Sequence, residues 1–123
     1  MDFQPNAPIY LQIVNLFKKQ ILSGVYPPGS AVPSRRETAA LYQVNPNTVQ
    51  RAYSELEAEG LIRTLRGQGS VVTEDETVLY KLRESFVQQT IARFVGEMEE
   101  IGIERSELAE LVTQFIKEGK PHD

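Results

Sequence analysis

The stretch PSRRETAALYQVNPNTVQRAYSELEAEGLIRTLRGQGS, from Pro33 to Ser70, decides the fold. Ser34 followed three residues later by Glu37 is a capping box, which places a short helix over residues 34–42. Gln43 and Val44 then read as a tight turn. Asn45 is a good N-cap, and Pro46 suits the first helical position, where a missing N–H loses no partner. A second helix therefore begins there and runs to Gly60, a helix stop. Leu61–Leu65 and Ser70–Thr73 are β-favouring runs joined by Arg66-Gly67-Gln68-Gly69, which predicts a hairpin. Two capped helices followed by a hairpin is the order of a winged helix-turn-helix.

Outward from this stretch, Pro8 opens a helix whose apolar residues Ile9, Ile13, Leu16, Phe17 and Ile21 recur at helical spacing, and Gly24 ends it. Tyr26-Pro27-Pro28-Gly29 is a turn, after which Ser30-Ala31-Val32 is expected to add a third strand to the wing sheet. Beyond the hairpin, Asp75 or Glu76 begins a long helix in which Leu79, Leu82, Phe86, Ile91, Phe94, Met98 and Ile101 are expected to form one apolar stripe, broken at Gly102. A last helix carries Leu108, Leu111, Val112, Phe115 and Ile116 at i, i+3, i+4, i+7 and i+8, and ends at Gly119 before the tail Lys120-Pro121-His122-Asp123. Glu104 is a weak N-cap for it. The expected architecture is mainly α with a small β-wing: a winged helix-turn-helix domain over residues 1–73, then a two-helix dimerisation segment over 74–123.

Two amphipathic helices alone cannot bury their own apolar faces. A second copy is the expected cover, with Leu79, Leu82, Phe86, Ile91, Phe94, Met98, Leu108, Leu111 and Phe115 as the dimerisation residues. The alternative is a tail folded back on its own winged helix.

The formal net charge of −4 argues against nucleic acid only until its distribution is considered. Through Thr73 there are seven basic residues against five acidic ones, a net +2; the remainder has six against twelve, a net −6. Four of the seven, Arg35, Arg36, Arg51 and Arg66, fall in the two-helix motif or at the wing tip, a modest basic patch. The chain contains no cysteine, which excludes disulfides, thiolate metal sites and cysteine nucleophiles. Its N-terminus lacks a basic, then apolar, signal pattern, and no run approaches the ~20 apolar residues of a membrane span, so a cytoplasmic location is expected.

The chemistry of the second helix points to DNA. Val49, Ala52, Tyr53 and Leu56 share one face, which leaves Asn47, Arg51 and Ser54 opposite, with Thr48 and Gln50 at the flanks. Asn and Gln can pair bidentately with adenine and Arg with guanine, each good pair giving ~1–3 kcal/mol of discrimination. Ser34 and Asn45 serve as caps first. Arg51 has two readings, base contact or a solvated charge paired with Glu55 at i+4, and Arg35 has two, phosphate contact or plain solvent exposure.

The set Pro33-Ser34-x-Arg36-Glu37, Val44-Asn45-Pro46-Asn47-Thr48-Val49-Gln50-Arg51-Ala52-Tyr53, Leu56-Glu57-x-Glu59-Gly60-Leu61-Ile62 and Arg66-Gly67-x-Gly69 resembles the DNA-binding domain of the GntR family of bacterial transcription regulators, over roughly residues 8 to 73. The short remainder resembles the reduced two-helix tail of the YtrA-like branch. The resemblance implies that Arg36 grips backbone or base, that Asn45, Asn47, Thr48 and Gln50 occupy recognition-helix positions, and that Arg66 and Gly67 form a wing tip entering the minor groove. Pro46 and Gln50 depart from the larger-domain members, which tend to carry arginines there, so base preferences do not transfer.

Enzyme readings find no support: His122, the only histidine, is one residue from the end, and no nucleophile has a base beside it. Gly67-Gln68-Gly69 lies between strands, not before a helix, so it is no nucleotide loop. No cofactor is expected. The expected function is a homodimeric regulator, acting by repression, that reads an inverted repeat in double-stranded operator DNA with half-sites ~34 Å apart or a multiple of it. The rival is a winged-helix protein interaction module whose apolar tail is the docking surface. The tail is too short to enclose a substantial ligand, which leaves a cleft between two copies for any small-molecule effector.

Overall fold

The computed structural model describes residues 3–119. In chain order it contains α1 (Ile9–Leu22), α2 (Arg35–Tyr42), α3 (Pro46–Ala58), β1 (Ile62–Leu65), β2 (Gly69–Val72), α4 (Glu76–Glu100) and α5 (Arg105–Glu118). These form two compact units, one running to Arg83 and one starting at Glu84.

In the first unit the caps do what their chemistry dictates. Ser34 Oγ accepts the Glu37 N–H at 3.0 Å while Glu37 Oε1 accepts the Ser34 N–H at 2.9 Å, so two otherwise orphaned donors at the start of α2 are satisfied. Asn45 Oδ1 accepts the Asn47 N–H at 2.7 Å, and Pro46 is the first residue of α3. Between the helices Gln43 takes a left-handed conformation, φ 54°, which lets the Val44 N–H reach back to the Ala39 carbonyl at 3.1 Å. The turn that sets α2 against α3 is thus held from both sides.

Ile13, Val14, Phe17 and Ile21 of α1 are buried against Val49, Ala52, Tyr53 and Leu56 of α3, with Leu61, Ile62 and Val72 of the wing and Val32 completing the core. Full burial of Val49 and Leu56 is worth about 1.5–3 kcal/mol each. The α1 stripe differs from expectation: Val14 is buried, whereas Ile9 remains 41% exposed and Leu16 is only half-buried.

The hairpin pairs β1 and β2 antiparallel, with Ile62 opposite Val72 and Leu65 opposite Gly69. The expected third strand does not form. Residues 30–32 meet β2 through the single bridge Ala31 to Val71, although Val72 N–H donates to Ser30 O and Val32 N–H to Ser70 O. Pro33, which has no N–H to donate, and Pro28-Gly29 bracket the segment too closely for a ladder to extend.

In α4 the expected single stripe also gives way. Leu82 is buried in the first unit's core, with Val78 and Leu79 packed against that core. The step from Phe86 to Ile91 is five residues, about 140° beyond a full turn, so Ile91, Phe94 and Met98 start a separate face. That second face belongs to the other unit, where it meets α5 around the buried Leu108. Asp75 caps α4 by accepting the Thr77 N–H at 2.9 Å, while α5 starts at Glu104 without a side-chain cap. Residues 120–123, including His122, lie outside the described residues.

Candidate nucleic-acid interface

The two faces of α3 are cleanly divided. Val49, Ala52, Tyr53 and Leu56 are at most 1% exposed, while Asn47, Gln50, Arg51 and Ser54 are exposed and Thr48 is half-buried. Gln50 Nε2 donates to Ser54 Oγ at 3.2 Å, linking two polar side chains one turn apart. Arg35 and Arg36 of α2 and Asn47 and Gln50 of α3 line one open groove, so the two helices present a joint polar surface.

Tyr53 locks that arrangement from beneath. Its hydroxyl donates to the Pro33 carbonyl at 2.5 Å; having one proton, it accepts from Thr38 Oγ1 at 2.8 Å. Its ring meets Phe17 edge-on with centroids 5.4 Å apart. Burial pushes the Tyr53 hydroxyl up to about 12, against the opposing pull of the Thr38 hydrogen bond. The hydroxyl therefore stays protonated and donating at neutral pH. The Glu37 carboxyl is held below its ordinary value by the backbone hydrogen bond from Ser34 and then by the Ser34 hydroxyl.

The arginines have distinct fates. Arg35 is paired within the chain: its Nη2 meets Glu57 Oε1 at 2.5 Å, and its guanidinium lies 4.9 Å from the Tyr53 ring centroid. Glu57 also accepts from Thr64 Oγ1 at 3.3 Å, and Thr64 hydrogen-bonds Ser70 Oγ at 3.1 Å, so one carboxylate ties α2 to both wing strands. Arg51 does not pair with Glu55; its guanidinium carbon sits 3.8 Å from the centroid of the Tyr10 ring. Among the described residues, no carboxylate forms an ion pair with Arg36, Arg51 or Arg66. Arg66 and Gly67 sit exposed at the wing tip, where Gly67 has φ 75°, a conformation that costs a residue with a Cβ about 1–2 kcal/mol.

Three contributors have no role assigned by the sequence reading: Tyr10, Glu57, although it stands in the quoted motif, and Thr64. Tyr10 carried a signal, since Tyr10, Ile13 and Phe17 at i, i+3 and i+7 share the buried face of α1. For Glu57 and Thr64 the pairing itself carries no signal, because nothing in a helix surface pattern names a partner on another element.

In the second unit, Ile91, Phe94, Leu111 and Phe115 are 39–52% exposed around grooves floored by Leu108 and Val112. Met98 and Phe86 are half-buried. Among the described residues no cluster of three His, Cys, Asp or Glu side chains is arranged to hold a metal ion, and no helix is long and apolar enough to cross a membrane.

Comparison with known proteins agrees with this geometry. The profile of the family described as "Bacterial regulatory proteins, gntR family" matches residues 9–72. The chain is 37% identical to the HTH-type transcriptional regulator YhcF of Bacillus subtilis, over 96% of this chain and 98% of that protein. It is 35% identical to the HTH-type transcriptional repressor YtrA of the same organism, over 100% and 98% respectively. Among solved structures, a GntR family transcriptional regulator from Listeria monocytogenes superposes with a TM-score of 0.83 at 38% identity, covering 91% of this chain and 98% of that one. Similarity over nearly the whole length, tail included, joins a matched DNA-binding domain with an exposed polar α3, and the chain belongs to the gntR family of bacterial regulatory proteins as a winged-helix, DNA-binding transcription regulator.

Proposed function

We propose that two copies of this chain bind one operator duplex as a repressor, each laying α3 in the major groove of one half of an inverted repeat and its wing alongside. The observation that carries this reading is the division of α3, a fully buried apolar face backing an exposed row of Asn47, Gln50, Arg51 and Ser54. In this reading Asn47, Gln50 and Arg51 read base edges. Thr48, Asn45 and the start of α3 approach phosphate, helped by the helix dipole. Arg36 and Arg66 bring unneutralised charge to the backbone, and Gly67 lets the wing tip come close. Arg35, occupied by Glu57, acts by positioning.

Residues 1–73 are the reading part and 74–123 the dimerising part. Ile91, Phe94, Leu111 and Phe115 form an apolar surface that a two-fold mate would cover, since a patch of this kind on a monomer is costly in water. Leu79 and Leu82 already pack in the core of the first unit. Repression accords with the name of YtrA, a transcriptional repressor in Bacillus subtilis. The activity is binding without catalysis, in the cytoplasm where the chromosome lies.

The test separates base contacts from backbone contacts on a duplex selected by the wild-type chain. Asn47→Ala is expected to weaken binding by ~1–3 kcal/mol and relax preference at one base position of each half-site. Arg66→Ala is expected to weaken all sequences alike and lower the salt slope, by ~0.9 for each phosphate that is no longer neutralised. Retention of full affinity and preference by Asn47→Ala would remove α3 from the reading role.

A further inference from the structure

We propose that Tyr10 is a positioning residue for base recognition: its ring is the platform that holds the Arg51 guanidinium ready for a guanine edge. This rests on the reading that Arg51 faces DNA. The guanidinium carbon lies 3.8 Å from the Tyr10 ring centroid, face contact well within the ~6 Å reach of a cation–π interaction. The contact engages the ring, and among the described residues the Arg51 guanidinium forms no ion pair, so its planar N–H fork is unspent on a carboxylate. The fork is what a guanine O6 and N7 pair requires. Arg35 shows the contrast, since its Nη2 is spent on Glu57 Oε1 at 2.5 Å.

Tyr10 is itself fixed. It is half-buried and packs against the core that joins α1 to α3, one turn before Ile13 and two before Phe17. The platform thus comes from a different helix than the arginine it carries, and the core holds both. A long, flexible side chain that is ordered before DNA arrives loses less rotamer freedom on binding. The gain falls on the guanine contact alone, so Tyr10 contributes to sequence preference without touching DNA.

The experiment sequences the duplexes captured from a random-sequence pool by the wild-type chain, Tyr10→Leu, Tyr10→Phe, Arg51→Ala and the Tyr10→Leu/Arg51→Ala double variant. Guanine preference at one position of each half-site is expected to fall two- to fivefold in Tyr10→Leu, as removal of an exposed cation–π interaction implies. Tyr10→Phe should keep it, and the double variant should match Arg51→Ala. A Tyr10→Leu effect equally large in the Arg51→Ala background would make Tyr10 merely structural and overturn the proposal. A wild-type preference in Arg51→Ala, or no enrichment by the wild-type chain, would instead remove the reading beneath it, a distinct signature. Should Tyr10→Leu fail to fold, proton NMR of the free wild-type chain decides: Arg51 side-chain protons are expected upfield of their random-coil positions from the ring current. Random-coil positions there would overturn the proposal.

Discussion

Replacing Tyr53 by Phe keeps the ring that meets Phe17 at 5.4 Å and removes only the hydroxyl. That deletion leaves the Pro33 carbonyl without the donor now 2.5 Å away and the Thr38 hydroxyl, 1% exposed, without its acceptor. Leaving buried polar partners unsatisfied costs about 1–3 kcal/mol. Thr38 can rotate to the carbonyl of Ser34 one turn back, which relieves part of the loss, so we expect about 1–2 kcal/mol. With a urea slope of about 2 kcal/mol/M, within the usual 1–3, the unfolding midpoint should drop by roughly 0.5–1 M with unchanged slope. The difference should also depend on pH in a definite direction. The folded Tyr53 hydroxyl titrates at about 12 and the unfolded one at 10.0. Between those values the unfolded chain binds fewer protons, so wild-type stability from this group is complete below pH 10 and is lost as pH rises toward 12. Phe has no such loss. The gap between wild type and Tyr53→Phe should therefore narrow from pH 9 to 11.5, other titrating groups cancelling in the comparison. An unchanged midpoint at pH 7, or a gap that widens in alkali, would refute the role given to this hydroxyl.

Ser34→Ala should cost about 1 kcal/mol of stability by removing the capping box, measured by urea melts; no change would mean α2 starts without it. Because the Glu37 carboxyl is held below its ordinary 4.5, its contribution is present above that pH and lost as pH falls through the lower folded value, so the stability gap between wild type and Glu37→Gln should shrink from pH 6 to pH 3. Glu57→Ala should free Arg35 and loosen the wing, seen as faster amide hydrogen exchange in β1 and β2; unchanged exchange would deny the tie through Thr64. Phe94→Glu, which puts a charge on the exposed apolar groove of the second unit, should yield a monomer by light scattering, and a persistent dimer would move the interface elsewhere.

Local chemistry made the reading head legible. Ser34 with Glu37, Asn45 with Pro46, and the glycines around Gln68 each act on backbone groups a few residues away, so their consequences can be read in order along the chain. The buried face of α3 was equally legible, because Val49, Ala52, Tyr53 and Leu56 repeat with the helix period. What escaped was partnership across distance. Arg51 had an adjacent candidate in Glu55, yet stacks on Tyr10 from another helix; Arg35 pairs with Glu57, 22 residues away. Periodicity tells which face a side chain occupies and nothing of what meets it. The third strand failed for a related reason: three residues between Gly29 and Pro33 favour extension, but a ladder needs donors that proline withholds. In α4, a five-residue step was absorbed into one stripe when it marks the change from one packing face to the next.

Selection of duplexes from a random-sequence pool by the wild-type chain near physiological salt, followed by sequencing, tests the central claim most directly. Two dyad-related half-sites, centres about 34 Å or a multiple of it apart, should emerge with strong preference at the bases facing Asn47, Gln50 and Arg51. An unenriched pool, or a single half-site with no dyad mate, would contradict a two-fold dimer reading DNA through α3.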